Sequence, residues 1–199
     1  MPNWCDNYLE ITAEPRVISA LLAKAKGKRS PYDDTVCDFS YLPFLQEQID
    51  ACENYEANWY GFNLAKLGCK WFPEIVPYAI DITADRVTAA FQSPWGPPIA
   101  GTSAIADWLR SQDFAFTLTL SYHESGCAFC GVFTADQDGE DDLCGEYLEL
   151  DAEELRAGNA EDYAAVCKSF GISFPDLQAR ATDDVDYVTL CPDFYQPYL

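Results

Sequence analysis

The cleanest pattern in the chain runs from Phe114 to Tyr122, where Phe114, Phe116, Leu118, Leu120 and Tyr122 alternate with Ala115, Thr117, Thr119 and Ser121. A period of two places each set on its own face, so the segment is a strand with one buried and one polar side. Asn3 to Thr12 alternates in the same way, with Cys5, Leu9 and Ile11 against Asp6, Tyr8 and Glu10. Asn7 falls on the apolar side and is expected to be a hydrogen-bonded core amide, or one lining a cavity. Ile80 and Ile82 predict a short strand, Val87 to Gln92 another, and Cys37 to Leu42 and Val185 to Cys191 two more. Elsewhere the period is helical. Glu14-Pro15 opens a helix buried through Val17, Ile18, Leu21 and Leu22, and Lys24-Ala-Lys26-Gly-Lys28-Arg29 closes it, as suits the negative end of a helix dipole. Pro43 opens a second, with Leu45, Ile49, Cys52 and Tyr55 on one face. A third carries Ile99, Ile105, Trp108 and Leu109 inward. Between it and the preceding strand stands Ser93-Pro94-Trp95-Gly96-Pro97-Pro98, whose prolines cannot donate to a ladder and so end the strand near Gln92.

Three stretches are less regular. Asn58 to Trp71 is rich in aromatics and glycine without a clean period, and Pro73 and Pro77 interrupt the residues after it. Residues 30–77 therefore read as an inserted helical segment packed on the sheet. Ser125-Gly126 predicts a two-residue hairpin turn, which sets Glu124 opposite Cys127, Tyr122 opposite Phe129 and Leu118 opposite Phe133. After residue 135 the composition shifts: twelve acids between Asp136 and Asp162 face Arg156 alone. Asn159 is placed to cap a helix bearing Tyr163, Val166, Cys167 and Phe170, stopped by Gly171. The tail from Pro192 to Leu199 is expected to dock on the body. The pattern as a whole predicts an α+β protein built on an antiparallel sheet of about four to six strands. Residues 1–135 form its core, and 136–199 an acidic appendage packed on it.

Composition narrows the possibilities. Apolar residues at 49% and aromatics at 15% exclude disorder as the global state. The formal charge of −21 repels nucleic acid and anionic membranes, so direct binding to either is not expected, and it attracts basic surfaces. The opening MPNWCDNYLE has no basic segment followed by an apolar run, and no stretch approaches the roughly 20 apolar residues of a membrane span. The expectation is a soluble intracellular protein whose nine cysteines are reduced and mostly buried.

Candidate chemistry is sparse. Cys127-x-x-Cys130 with His123 and Cys144 has the types of a zinc site, but residues three apart in a strand point to opposite faces, so neither a metal nor a redox dithiol is expected. No cofactor is expected either. His123 has no serine or cysteine partner that the sequence places beside it, which leaves a nucleophilic triad unsupported. Glu124 extends the buried line of Tyr122, where a carboxylate would be partly desolvated. With Asn3, Asn7, Lys70, Trp71, Trp95 and Tyr122 it defines a possible pocket for a small polar ligand or for acid–base chemistry. The bland reading is that Glu124 pairs with Lys70 or caps a turn. The acids Asp136, Asp138, Glu140, Asp141, Asp142, Glu146, Glu149, Asp151, Glu153 and Glu154 form either a solvated face or a partner-binding surface.

Several pieces together resemble the YubB ferredoxin-like family of plasmid- and phage-borne proteins, a family without an assigned activity. They are Met1-Pro2-Asn3-Trp4-Cys5 with Asn7, Gly68-Cys69-Lys70-Trp71, Phe91 through Trp95 to Pro97-Pro98, and Tyr122-x-Glu124-x-Gly126 followed by Phe129 and Gly131. The chain departs from the family pattern at Leu67, at Cys69 and at Ser93-Pro94. The resemblance implies a ferredoxin-like sheet with helices on one face, and carriage on a mobile element in a bacterial cytoplasm. With the acidic segment, it makes the leading expectation a non-enzymatic protein that binds a basic partner. Such a partner would be a host nuclease, restriction or CRISPR component, blocked by charge mimicry of DNA or RNA. A ligand binder or enzyme using the Lys70/Trp95/Glu124 corner is the alternative.

Overall fold

The computed structural model describes residues 3–76 and 79–198. Met1 and Pro2 of the opening motif, Pro77, and Leu199 of the tail lie outside the described residues. In chain order the first half comprises β1 (Trp4–Ala13), α1 (Pro15–Ala25), β2 (Gly27–Ser30), β3 (Asp33–Cys37), α2 (Leu42–Asp50) and α3 (Tyr55–Lys66). Then come β4 (Ile80–Ile82), β5 (Arg86–Pro94), α4 (Ile99–Ser111), β6 (Phe116–Glu124), β7 (Phe129–Asp136) and β8 (Glu140–Glu146). The chain closes with β9 (Leu148–Asp151), α5 (Ala152–Ala157), α6 (Ala164–Ser169), α7 (Phe174–Gln178) and β10 (Tyr187–Leu190).

Six strands make one antiparallel sheet in the order β4-β5-β1-β6-β7-β8. Within it, β1, β4, β5 and β6, with α1 and α4 as crossovers, form the split βαβ arrangement of a ferredoxin-like fold. The register puts Leu9 between Ala89 and Leu120, and Ile11 between Val87 and Leu118. These side chains are buried with Val17, Ile18 and Leu21 of α1 and Ile105 and Leu109 of α4. Full burial of each large apolar side chain contributes roughly 1.5–3 kcal/mol, so this layer dominates stability.

Several expected boundaries move. The basic run closes α1 only in part: Lys24 stands in its last turn and Lys26 takes the C-terminal capping position, while Lys28 and Arg29 lie in β2, which pairs with β3. The strand expected at Cys37 to Leu42 instead ends at Cys37, because Leu42 already starts α2. Tyr55 begins a separate helix, and the aromatic stretch without a clean period folds as α3. β5 runs on to Pro94, paired with Trp4. A proline is tolerated there because a strand end needs no further ladder donor.

The β6–β7 connection spans 125–128 rather than two residues, so Glu124 faces Phe129, Tyr122 faces Gly131 and Leu118 faces Ala135. Ala128 takes φ +56 to close the longer loop. The slip is two residues, so every side chain keeps its face. Gly131 is required by packing, since a Cβ there would collide with the Tyr122 ring.

β8, the sixth strand, lies inside the acidic stretch. Beyond it, β9 and β10 pair, and α5, α7 and β10 close a small core of Ala152, Leu155, Leu177, Ala181, Val188 and Leu190. Asn159 forms a local turn, accepting from the Glu161 amide at 2.9 Å, and Tyr163 takes the capping position of α6. The tail docks as expected: Tyr195 is buried with Cys130, Val132 and Tyr147, on the side of the sheet away from α1 and α4. Among the described residues no helix is long and apolar enough to cross a membrane.

Candidate functional site

At one end of the sheet β1 begins while β5 and β6 finish, and this gathers part of the predicted corner. The Trp95 amide donates to the Asn3 carbonyl at 2.9 Å, and Asn3 Nδ2 donates to Cys127 Sγ at 3.2 Å. Lys70 is pinned beside them: its amide donates to the Pro94 carbonyl at 3.2 Å, and its own carbonyl accepts from Asn63 Nδ2 at 3.0 Å. The Lys70 ammonium lies 4.2 Å from the centre of the Trp95 ring and 5.3 Å from that of Trp71. Trp4 meets Trp71 edge-on at 6.0 Å, and Tyr60 meets Trp95 likewise at 6.0 Å. All four rings are substantially exposed. Trp95 holds φ +74, a left-handed conformation that costs a bulky residue on the order of 1–3 kcal/mol. The result is a cluster of indoles and a phenol displayed around one lysine.

The other predicted residues are elsewhere engaged. Glu124 is 2% exposed, and its carboxylate accepts the amides of Gly126, at 2.9 Å, and Cys127. It caps the β6–β7 loop and makes no ion pair with Lys70 among the described residues. Burial, then the neighbouring Asp6 and Glu124 carboxylates, push the Cys5 thiol far above its ordinary range. Tyr122 is buried and donates to Asp142 Oδ1 at 2.9 Å. Asn7 is a core amide, donating to the Cys5 carbonyl and Ser93 Oγ, each at 2.8 Å. The corner therefore brings Asn3, Lys70, Trp71 and Trp95 to the surface, while Asn7, Tyr122 and Glu124 are spent on structure.

His123 faces Cys130 across the ladder. Its Nδ1 lies 3.0 Å from the Tyr195 hydroxyl, its Nε2 lies 3.6 Å from Asp6 Oδ2, and its ring stacks on Tyr147 at 4.7 Å. Burial pushes the Cys130 thiol up to about 12, with Cys191 and Cys144 adding to it, so it is protonated and unreactive at neutral pH. The cluster clamps the tail to the sheet. Among the described residues no group of three or more His, Cys, Asp or Glu is placed to hold a metal ion.

All ten predicted partner-binding acids are exposed. Several also hold the fold: Asp136 accepts the amides of Asp138 and Gly139, Asp151 caps α5 through the Glu154 amide, and Glu149 accepts from the Tyr147 hydroxyl at 2.8 Å. Glu140 meets Arg110 at 3.4 Å, and Glu146 accepts from Ser169. Asp138, Asp141, Glu153 and Glu154 make no ion pair among the described residues. By contrast three of the four cations of the basic run are paired, with Lys26 beside Asp38, Lys28 beside Asp34, and Arg29 between Asp33 and Glu74.

One feature of the surface was not anticipated. A groove of about 540 Å³ opens between α3 and the β2–β3 hairpin. Tyr55, Trp59 and Asn63 line one wall at a spacing of four, with Glu56 beside Tyr55; Tyr32 comes from the hairpin and Trp71 from the segment after α3. The repeat Tyr55-x-x-x-Trp59-x-x-x-Asn63 is the signal in the sequence, hidden by the aromatics on the helix's other faces.

No family model matches the chain, and no curated protein matches it. Among solved structures it is similar to the crystal structure of protein api92 from Yersinia pseudotuberculosis, assigned to the family model DUF1281. The TM-score is 0.44 at 11% identity, covering 73% of this chain and 98% of that one.

Proposed function

We propose that the protein is a non-enzymatic binder of a basic partner, which it engages through the acidic surface running from the β7–β8 turn to α5. In this reading it is a cytoplasmic protein of a mobile element related to the YubB family, and its partner is a nucleic-acid-directed defence protein of the host. The observation that carries the reading is the exposed run Glu140-Asp141-Asp142 on β8, the edge strand of the sheet. Side chains alternate along a strand, so Glu140 and Asp142 share one face of this edge, two residues or about 6.8 Å apart, while Asp141 lies on the other. The edge therefore presents carboxylates on both faces, and DNA likewise presents a regular series of negative charges along each strand. Residues 136–199 carry 17 acids and 3 bases, net −14, so the field around this edge attracts basic surfaces.

The test is a tagged pull-down from nuclease-treated bacterial lysate, eluted by a salt gradient. A basic nucleic-acid-handling protein should leave at moderate salt. It should be lost when Asp138, Asp141, Glu153 and Glu154 are together changed to lysine, a set chosen because their carboxylates make no ion pair. Capture that is unaffected by these four changes would refute the reading.

A further inference from the structure

We propose that the groove between α3 and the β2–β3 hairpin binds an organic ammonium cation carried on an apolar body. The site is separate from the acidic edge and does not depend on it. Its volume of about 540 Å³ suits a small molecule. Its walls are the rings of Tyr32, Tyr55, Trp59 and Trp71, and Tyr32 stacks on Tyr55 with centres 5.9 Å apart. Aromatic faces carry negative charge density, and a cage of them with a carboxylate is the chemistry that recognises alkylated ammonium groups.

The charges agree with that choice. Arg29 is the one basic residue among those lining the groove, and its guanidinium is held by Glu74 at 2.8 Å and by Asp33 at 3.5 Å. Glu56 has no basic partner among the described residues. It stands close enough to the Tyr32 hydroxyl to raise it further above its ordinary value, after burial. An anion entering this groove would meet Asp33 and Glu56 in a protein of net charge −21. A cation would meet rings and a carboxylate. The protein already makes the same contact on one wall ring, with Lys70 over Trp71, and again outside the groove over Trp95.

The experiment is a tryptophan-fluorescence and calorimetric titration of the full chain with benzyltrimethylammonium, then with choline and its neutral isostere 3,3-dimethyl-1-butanol, and with benzoate. Saturable binding of benzyltrimethylammonium is expected, with choline at least about tenfold tighter than its isostere. Trp59→Leu should weaken binding about tenfold or more, and Glu56→Gln several-fold. Tyr187→Leu, an exposed ring on β10 that does not line the groove, should leave it unchanged. Because Glu56 is exposed, Glu56→Gln keeps the test valid if Trp59→Leu does not fold. Equal binding of the neutral isostere, preference for benzoate, absence of saturable binding, or indifference to Glu56→Gln would each overturn the proposal.

Discussion

The two ends of this chain reach stability by different means. Up to residue 135 a broad apolar layer, with Leu9, Ile11, Leu118 and Leu120 essentially inaccessible, is sealed under α1 and α4. From 136 onward the buried cluster of the β9–β10 lobe is small, two of its members are alanine, and the surrounding surface repels itself. That part leans on directed contacts: carboxylates that cap turns and helices, and a tail clamped by His123, Tyr147 and Tyr195. A region held by area tolerates lost polar contacts, whereas a region held by a few contacts opens when one goes. The difference fits a lower local stability at the acidic end.

The largest effect should come from emptying each core in turn. Leu9→Ala should cost about 2–5 kcal/mol and lower the urea midpoint of the whole protein. Leu155→Ala, equally buried, should instead release protection of the β9–β10 amides while β1 and β6 remain protected, as read by hydrogen exchange. If Leu155→Ala lowered protection uniformly, the two regions would be one cooperative unit.

Thiols sharpen the same contrast. Burial pushes Cys69 up to about 12, while Cys127 and Cys144 are exposed. At pH 8 a disulfide reagent should label Cys127 and Cys144 quickly and leave Cys5 and Cys69 intact until urea is added. A thiol raised on folding stabilises fully below its unfolded value near 9, and that contribution is lost as pH rises from there toward 12. The main core should therefore weaken on alkaline titration across that window. A flat urea midpoint from pH 8.5 to 11 would contradict this. The smallest effect is expected from Tyr195→Phe, which removes one hydroxyl from the clamp. It should cost about 1 kcal/mol and speed exchange in the tail ahead of the sheet.

Period decided how much of this was legible. Where alternation was strict, as at Phe114 to Tyr122 and Asn3 to Thr12, the strand, its apolar face and the buried place of Asn7 could be read from the residues, although β6 starts only at Phe116 and Ser121, on the side expected to be polar, is buried. The β6–β7 loop could not be counted that way, because a slip of two residues preserves every face; the observed register is the one that sets the Tyr122 ring against Gly131. α3 was obscured because aromatics on several faces of one helix flatten its period. The surface lysine and tryptophans of the corner were legible as types. That Glu124 spends its charge on two backbone amides depends on the loop's path, which no spacing reveals.

The position of the carboxylates on β8 also bears on how the chain behaves in company. A sheet has two open margins, and each is a template on which another copy can add a strand. Here one margin, β4, is three residues long, and the other presents Glu140, Asp141 and Asp142 to any strand that approaches. A second copy would bring its own carboxylates against the first. Charge on this margin thus disfavours edge-to-edge pairing between copies, and neutralising those three positions should raise self-association at high concentration, as read by light scattering.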